Sequence, residues 1–150
     1  MDDRKSTFGN CFSLGSGLII WRSKKQSMIA LSSTEVEYVA VTSAGAQALW
    51  LRKLLEEIGE IQVQRTVIFC DNISAIKLAT NPVHHSRTKH FDLKQHFIRD
   101  LVQKKVVELK YISTKEQIAD IFTKAVTKDQ FVNLRDQIVS PLSIKGEYED

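Results

Sequence analysis

The sequence predicts a single mixed α/β layer fold, and three patterns carry that prediction. Two short β-prone runs flank a Gly-Ser-Gly turn near the N-terminus. Apolar residues then recur at helical spacing over a long stretch. A continuous run rich in β-branched residues, Thr66-Val67-Ile68-Phe69-Cys70, follows. With the later elements, the order becomes ββ-α-β-α-α-β-α.

Gly9 to Leu14 and Leu18 to Arg22 are the first two strands, turned by Gly15-Ser16-Gly17. A further extended piece is expected over Ser27 to Ala30. Tyr38, Val41, Gly45, Ala48, Leu51, Leu55 and Ile58, spaced by threes and fours, mark one face of a long helix. Ser32 with Glu35 and Thr34 with Glu37 both match the S/T-x-x-E capping box, in which side chains satisfy free N–H groups. Gly59 suits the position just past the helix end.

Thr66 to Cys70 does not alternate, which predicts a strand covered on both faces, as in a parallel sheet. Asp71 stands at its C-terminal end. A short helix from Ile73 to Ala79 should stop at Asn81-Pro82, because the proline ring disfavours helical backbone before it. A basic amphipathic helix follows, with Leu93, Phe97, Leu101 and Val102 on one face. Val107, Leu109 and Tyr111 alternate with Glu108 and Lys110, which predicts a strand. Thr114 with Gln117 can cap a last helix that buries Ile118, Ile121, Phe122 and Ala125. Phe131, Leu134 and Ile138 continue helical packing, and a tail begins at Pro141. The expected division is a domain over 1–126, then a C-terminal helix and tail over 127–150.

Bulk properties exclude several classes. A chain of 150 residues with 43% hydrophobic and 26% charged residues can bury a core and is not a disordered segment. No apolar run is long enough to span a bilayer, so no membrane partner is expected. The N-terminus is charged where a signal peptide is apolar. Cys11 and Cys70 lie far apart in sequence with no C-x-x-C pair, and read as free thiols of a reducing compartment. An intracellular location is therefore expected. The net charge of +3 permits a nucleic-acid partner without requiring one.

Three acids stand where chemistry could use them. Asp71 ends the buried strand, and ligands of open α/β sheets bind beyond strand C-termini. Glu37 flanks the apolar stripe early in the long helix, and Asp120 lies nearly opposite the apolar face of the last one. Carboxylates brought together repel and take up protons unless a cation offsets them. Two Mg²⁺ ions can do so while serving phosphodiester hydrolysis. Each acid alone has an ordinary explanation: Glu37 as a capping residue, Asp71 as the cap of the next helix, and Asp120 as a solvated surface acid.

The strings around these acids add what spacing does not. DRKSTFG, LSSTEVEYVA, ALWLRKLL, CDNISAI, HHSRTKHFDLKQHFIRD and EQIADIFTK occur in fixed order. In this the chain resembles the ribonuclease H region of copia-type LTR-retrotransposon Pol polyproteins, from Asp3 to just beyond Asp120. The resemblance implies a ribonuclease H-like mixed sheet flanked by helices, and cleavage of the RNA strand of RNA–DNA hybrids. It also implies four acids holding two Mg²⁺ ions (Mn²⁺ as a substitute), and a reverse transcriptase domain upstream in the parent polyprotein. By motif position the helix glutamate falls on Glu37, with Glu35 as its rival. The strand-end and last-helix aspartates fall on Asp71 and Asp120.

Departures bear on activity. The family's first catalytic aspartate ends a central strand just upstream of Met1, so the expectation is a sheet without that strand and a site with three of four acids. Open sheet edges would then invite pairing with other chains. Phe8 replaces a usual serine, and Asn10 a usual aromatic residue. Ser113-Thr114-Lys115 occupies the loop where many ribonucleases H carry a histidine.

All four histidines and six Lys/Arg residues lie between His84 and Lys105, against only Asp92 and Asp100. The histidine spacing fits no common zinc site. Arg87, Lys89, Lys94 and Arg99 are candidate phosphate contacts, which position a nucleic acid without reading its sequence. The plainer alternative is a solvated helix face. Two functional readings follow: a retroelement nuclease domain impaired in this form, or a catalytically inactive relic that binds nucleic acid. An integrase core is a weaker rival because the quoted strings do not belong to it.

Overall fold

The computed structural model describes residues 7–15, 17–25, 32–81 and 89–138, with side chains described from 96 onward in the last segment. The architecture is mixed α/β. Strands β1 (Thr7–Leu14) and β2 (Gly17–Lys25) form an antiparallel hairpin. Gly15 turns it with φ +60°, a backbone region that costs glycine nothing. Helix α1 runs over Ser33–Glu57. Strand β3 (Thr66–Cys70), helix α2 (Ile73–Thr80), helix α3 (Lys89–Gln103) and strand β4 (Val107–Tyr111) follow, and β3 pairs with β4 in parallel. The expected extended piece at Ser27 to Ala30, and the tail from Pro141, lie outside the described residues.

Capping chemistry fixes the helix starts. Of the two expected caps, the one at Ser32 is seen: its side chain accepts from Glu35 N at 3.2 Å. The helix ends at Ile58, and Gly59 takes φ +88°. Asn72 caps α2 by accepting from Ala75 N at 2.9 Å. Asn81, before Pro82, is extended, and the helix stops there.

The last predicted helix is a correction. Thr114–Glu116 and Ile118–Phe122 are separate 3₁₀ turns, and the α-helix, α4, comes later over Lys128–Ile138. Gln117 causes the break. Its backbone is extended, and its side chain donates to Phe69 O at 3.2 Å on the rim of β3, so no continuous helix crosses that point. Trp21 of β2 covers the second turn, stacking on Phe122 at 5.3 Å.

α1 is the centre of the core. Its Tyr38, Val41, Ala44 and Ala48 are buried together with Ile68 and Cys70 of β3, Ala75 and Ala79 of α2, Ile98 and Leu101 of α3, and Val107 of β4. Gly45 lets α3 approach: a Cβ there would lie 2.7 Å from Ile98 Cδ1. At the far end of α1, Arg52 ties the helix to the segment before β3. Its Nη1 donates to Gln64 O at 2.8 Å and to Thr66 Oγ1 at 3.1 Å.

The hairpin and the β3–β4 pair share no ladder. Between them lies a cavity of about 890 Å³, walled by Gly9–Gly15 on one side and Gln64–Cys70 on the other, with Val41, Ala44, Ala48 and Leu51 of α1 along it. Consecutive residues of both strands line it. A sheet face would offer alternate residues, so the two strands present their edges to the gap. Gly9 sits beside Ala119 and Thr123, in the segment that Gln117 fastens to Phe69, so β1 starts near where β3 ends. A strand in the gap that ran parallel to β3 would be antiparallel to β1. Among the described residues none occupies it, an arrangement compatible with a ribonuclease H-like sheet short of its central strand.

Candidate functional site

Glu37 and Asp71 meet at the C-terminal end of β3. Glu37 projects from the second turn of α1, free of capping because Ser32 caps through Glu35 N. Asp71 is likewise free, because the cap of α2 is Asn72. The ordinary explanations for both acids therefore fail on geometry, and Glu37 rather than Glu35 is the helix acid at the cluster. One carboxylate oxygen from each, and Cys70 Sγ, all lie within 4.8 Å of one another.

Asp120, on the second 3₁₀ turn, is not among those close ligand atoms, but its charge is felt by Glu37. It is not a solvated acid but a buried one, 7% exposed. Lys124 holds it, with Nζ 3.2 Å from Oδ1 and 3.1 Å from Oδ2. Burial raises its pKa, the Lys124 ammonium opposes that, and Asp71 adds to it.

The electrostatics are those of acids gathered without enough positive charge. Glu37 is pushed up to about 7, first by burial, then by the charge of Asp71, with Asp120 and a hydrogen bond from the protonated Glu37 to Asp71 adding to the effect and Lys124 opposing it. Burial pushes the Cys70 thiol up to about 11, helped by Glu37 and Asp71 against the Asn72 amide. A divalent ion offers the missing charge, and the donor set suits one.

The sign of the pH effect follows. Glu37 ordinarily titrates near 4.5 and here near 7, so the folded chain holds an extra proton between those values. Stability therefore falls as pH rises through that window. Glu37→Gln should stabilise the chain by about 1 kcal/mol above the window, a figure reduced for the partial exposure of the group. Below it the advantage should vanish. Urea unfolding of both proteins at the two ends of the range tests this; an equal difference at both ends would contradict it.

The basic segment is placed unevenly. Arg87 lies outside the described residues, and Lys89 and Lys94 lie on α3 where only the backbone is described. Arg99 has a structural contact of its own. Its Nε donates to Leu78 O at 2.9 Å, and its Nη2 is buried without a hydrogen bond, so the guanidinium braces α3 against the C-terminal end of α2. Sequence reasoning missed two participants. Cys70 was adjacent to Asp71 in plain sight, and Lys124 follows Asp120 by four residues, the spacing of a helical ion pair.

Among the described residues no helix is long and apolar enough to cross a membrane. No protein-family model and no solved structure matches the chain. Curated relatives do. A retrovirus-related Pol polyprotein from transposon TNT 1-94 of Nicotiana tabacum is 42% identical over 131 residues, 87% of this chain and 10% of that protein. Those from transposons RE1 and RE2 of Arabidopsis thaliana are 41% and 42% identical over 137 residues, 91% of this chain and 9% of each. The chain spans about a tenth of the length of these relatives. It is homologous to one short segment of retrotransposon Pol polyproteins.

Proposed function

We propose that the chain carries the acids of a ribonuclease H-type site, acting on the RNA strand of an RNA–DNA hybrid as part of a longer Pol polyprotein. The observation that supports this best is the meeting of Glu37 and Asp71, from α1 and the end of β3, with Asp120 electrostatically coupled to both. Glu37, Asp71 and Asp120 would hold Mg²⁺, with Mn²⁺ as a substitute, and the bound pair would supply charge to activate a water and stabilise the leaving oxygen. The residues themselves do the positioning. α1 and β3 are packed rigidly, so their two carboxylates keep their spacing, and Lys124 orients Asp120 until a stronger cation competes for it. Arg87, Lys89 and Lys94 serve as phosphate contacts along the hybrid.

The cavity between β1 and β3 is, on this reading, the seat of a strand supplied by upstream polyprotein sequence, next to the reverse transcriptase domain. A segment extended upstream should cleave the RNA of a hybrid with Mg²⁺ and stop with chelator, while the present chain alone should be slow. Cleavage unaffected by chelator, or none from the extended segment, would overturn the hydrolase reading. Hybrid binding without cleavage would favour the inactive nucleic-acid-binding relic. Equal rates from short and extended chains would remove the role of the added strand. Hybrid affinity should fall steeply with added salt, by about one power of the salt concentration for each phosphate contact. An affinity indifferent to salt would exclude the basic segment as the contact surface.

A further inference from the structure

Helix α1 buries one face in the core and carries an apolar ridge on another. Trp50, Leu54 and Ile58, the last at the helix cap, are 52%, 41% and 67% exposed. Residues four apart on a helix stand one above the next, so the three form a single row. A solvated helix face carries polar side chains there; a row of large apolar ones that includes a tryptophan marks an interaction surface. The charges beside the row narrow the choice of partner. Lys53 and Glu57 are exposed and lie on one flank of it, while the other flank, at Gln47 and Leu51, is uncharged.

When two copies of one helix pack antiparallel across a two-fold axis, each flank faces its own counterpart with the residue order reversed. With the axis near Leu54, Trp50 meets Ile58 of the second copy at either end, a large side chain against a smaller one. Nearly the same register sets Lys53 beside Glu57 of the second copy, twice. A parallel pair would instead set the charged flank against the uncharged one. We propose that the ridge is an interface between two copies of this chain, an antiparallel pair of α1 helices centred on Leu54. Leu54 lies roughly 25 Å along the helix from Glu37, so the pairing leaves the acids open and does not depend on the nuclease reading.

Sedimentation equilibrium of the chain tests it. The mass should rise from monomer to dimer with a dissociation constant on the order of 10–100 µM, as suits a small interface. Leu54→Glu sets two like charges at the axis and should raise that constant at least about tenfold. Leu54 is outside the buried core, so the variant should keep its fold, as judged by circular dichroism. Lys53→Glu and Glu57→Lys should each weaken the dimer about fivefold, and the double swap should return it to within about twofold of the parent. That series decides the matter if Leu54→Glu does not fold. A chain monomeric up to about 1 mM, a dimer untouched by Leu54→Glu, or swaps that do not compensate would overturn the proposal. A monomeric chain in which Leu54→Glu destabilises only the upstream-extended segment would also overturn it, and give the ridge to a neighbouring domain of the polyprotein.

Discussion

Asp71→Asn in an upstream-extended segment should lower hybrid cleavage by at least about a hundredfold, the scale on which losing a group that meets developing charge is felt. The substitution keeps the side chain's shape and removes its charge. Asp71 has no capping duty, since Asn72 performs it, so α2 should start as before. Its charge is one of the causes that raise Glu37 and Asp120, so the variant should unfold no more easily than the parent and at a slightly higher temperature. The pairing of lost activity with retained stability is what separates a ligand from a structural residue. Cleavage within threefold of the parent would show that Asp71 holds nothing the reaction needs.

Ile98→Ala should be the most damaging core change, costing about 2–5 kcal/mol of a stability that for a domain of this kind is roughly 5–15 kcal/mol. Ile98 is fully buried, and its Cδ1 lies where a side chain at residue 45 would begin. Truncation leaves a void against bare helix backbone, bordered by Leu101 and Phe97. A coupling follows. Gly45→Ala alone sets its methyl against Ile98 and should destabilise, despite alanine's better helix propensity. In the Ile98→Ala background the same methyl enters vacated space, so Gly45→Ala should restore part of the loss. Urea unfolding of the four proteins gives the coupling energy, and strict additivity would refute the contact.

Local rules located most elements because each has its own signal. The Ser32 cap, the glycines at 15 and 59, the β-branched run to Cys70 and the proline at 82 act over a few residues, and all took effect where expected, except that β3 is not covered on both faces, since Phe69 is half exposed. The segment from Thr114 to Phe122 did not obey its local pattern. Its capping pair and apolar spacing suit a helix, but the hydrogen bond from Gln117 to Phe69 spans 48 positions and no window contains it. The bond from Arg99 to Leu78 was hidden for a similar reason: a cation on a basic helix looks like surface until α2 is placed beside it. The carboxylates were identified by surrounding wording and not by periodicity, which left each with a mundane role. Geometry removed those roles: other residues hold the two helix ends, and Asp120 is buried.

The two inner strand edges have a further consequence. Along a strand, amide hydrogens point alternately to either side, so every second N–H of β1 and β3 faces the gap instead of a ladder partner. Isotope exchange at those amides is then set by the occupant of the gap, fast beside solvent and slow beside another backbone. Exchange rates read in alternation along Thr7–Leu14 and Thr66–Cys70 would record, position by position, how far a guest has zipped in.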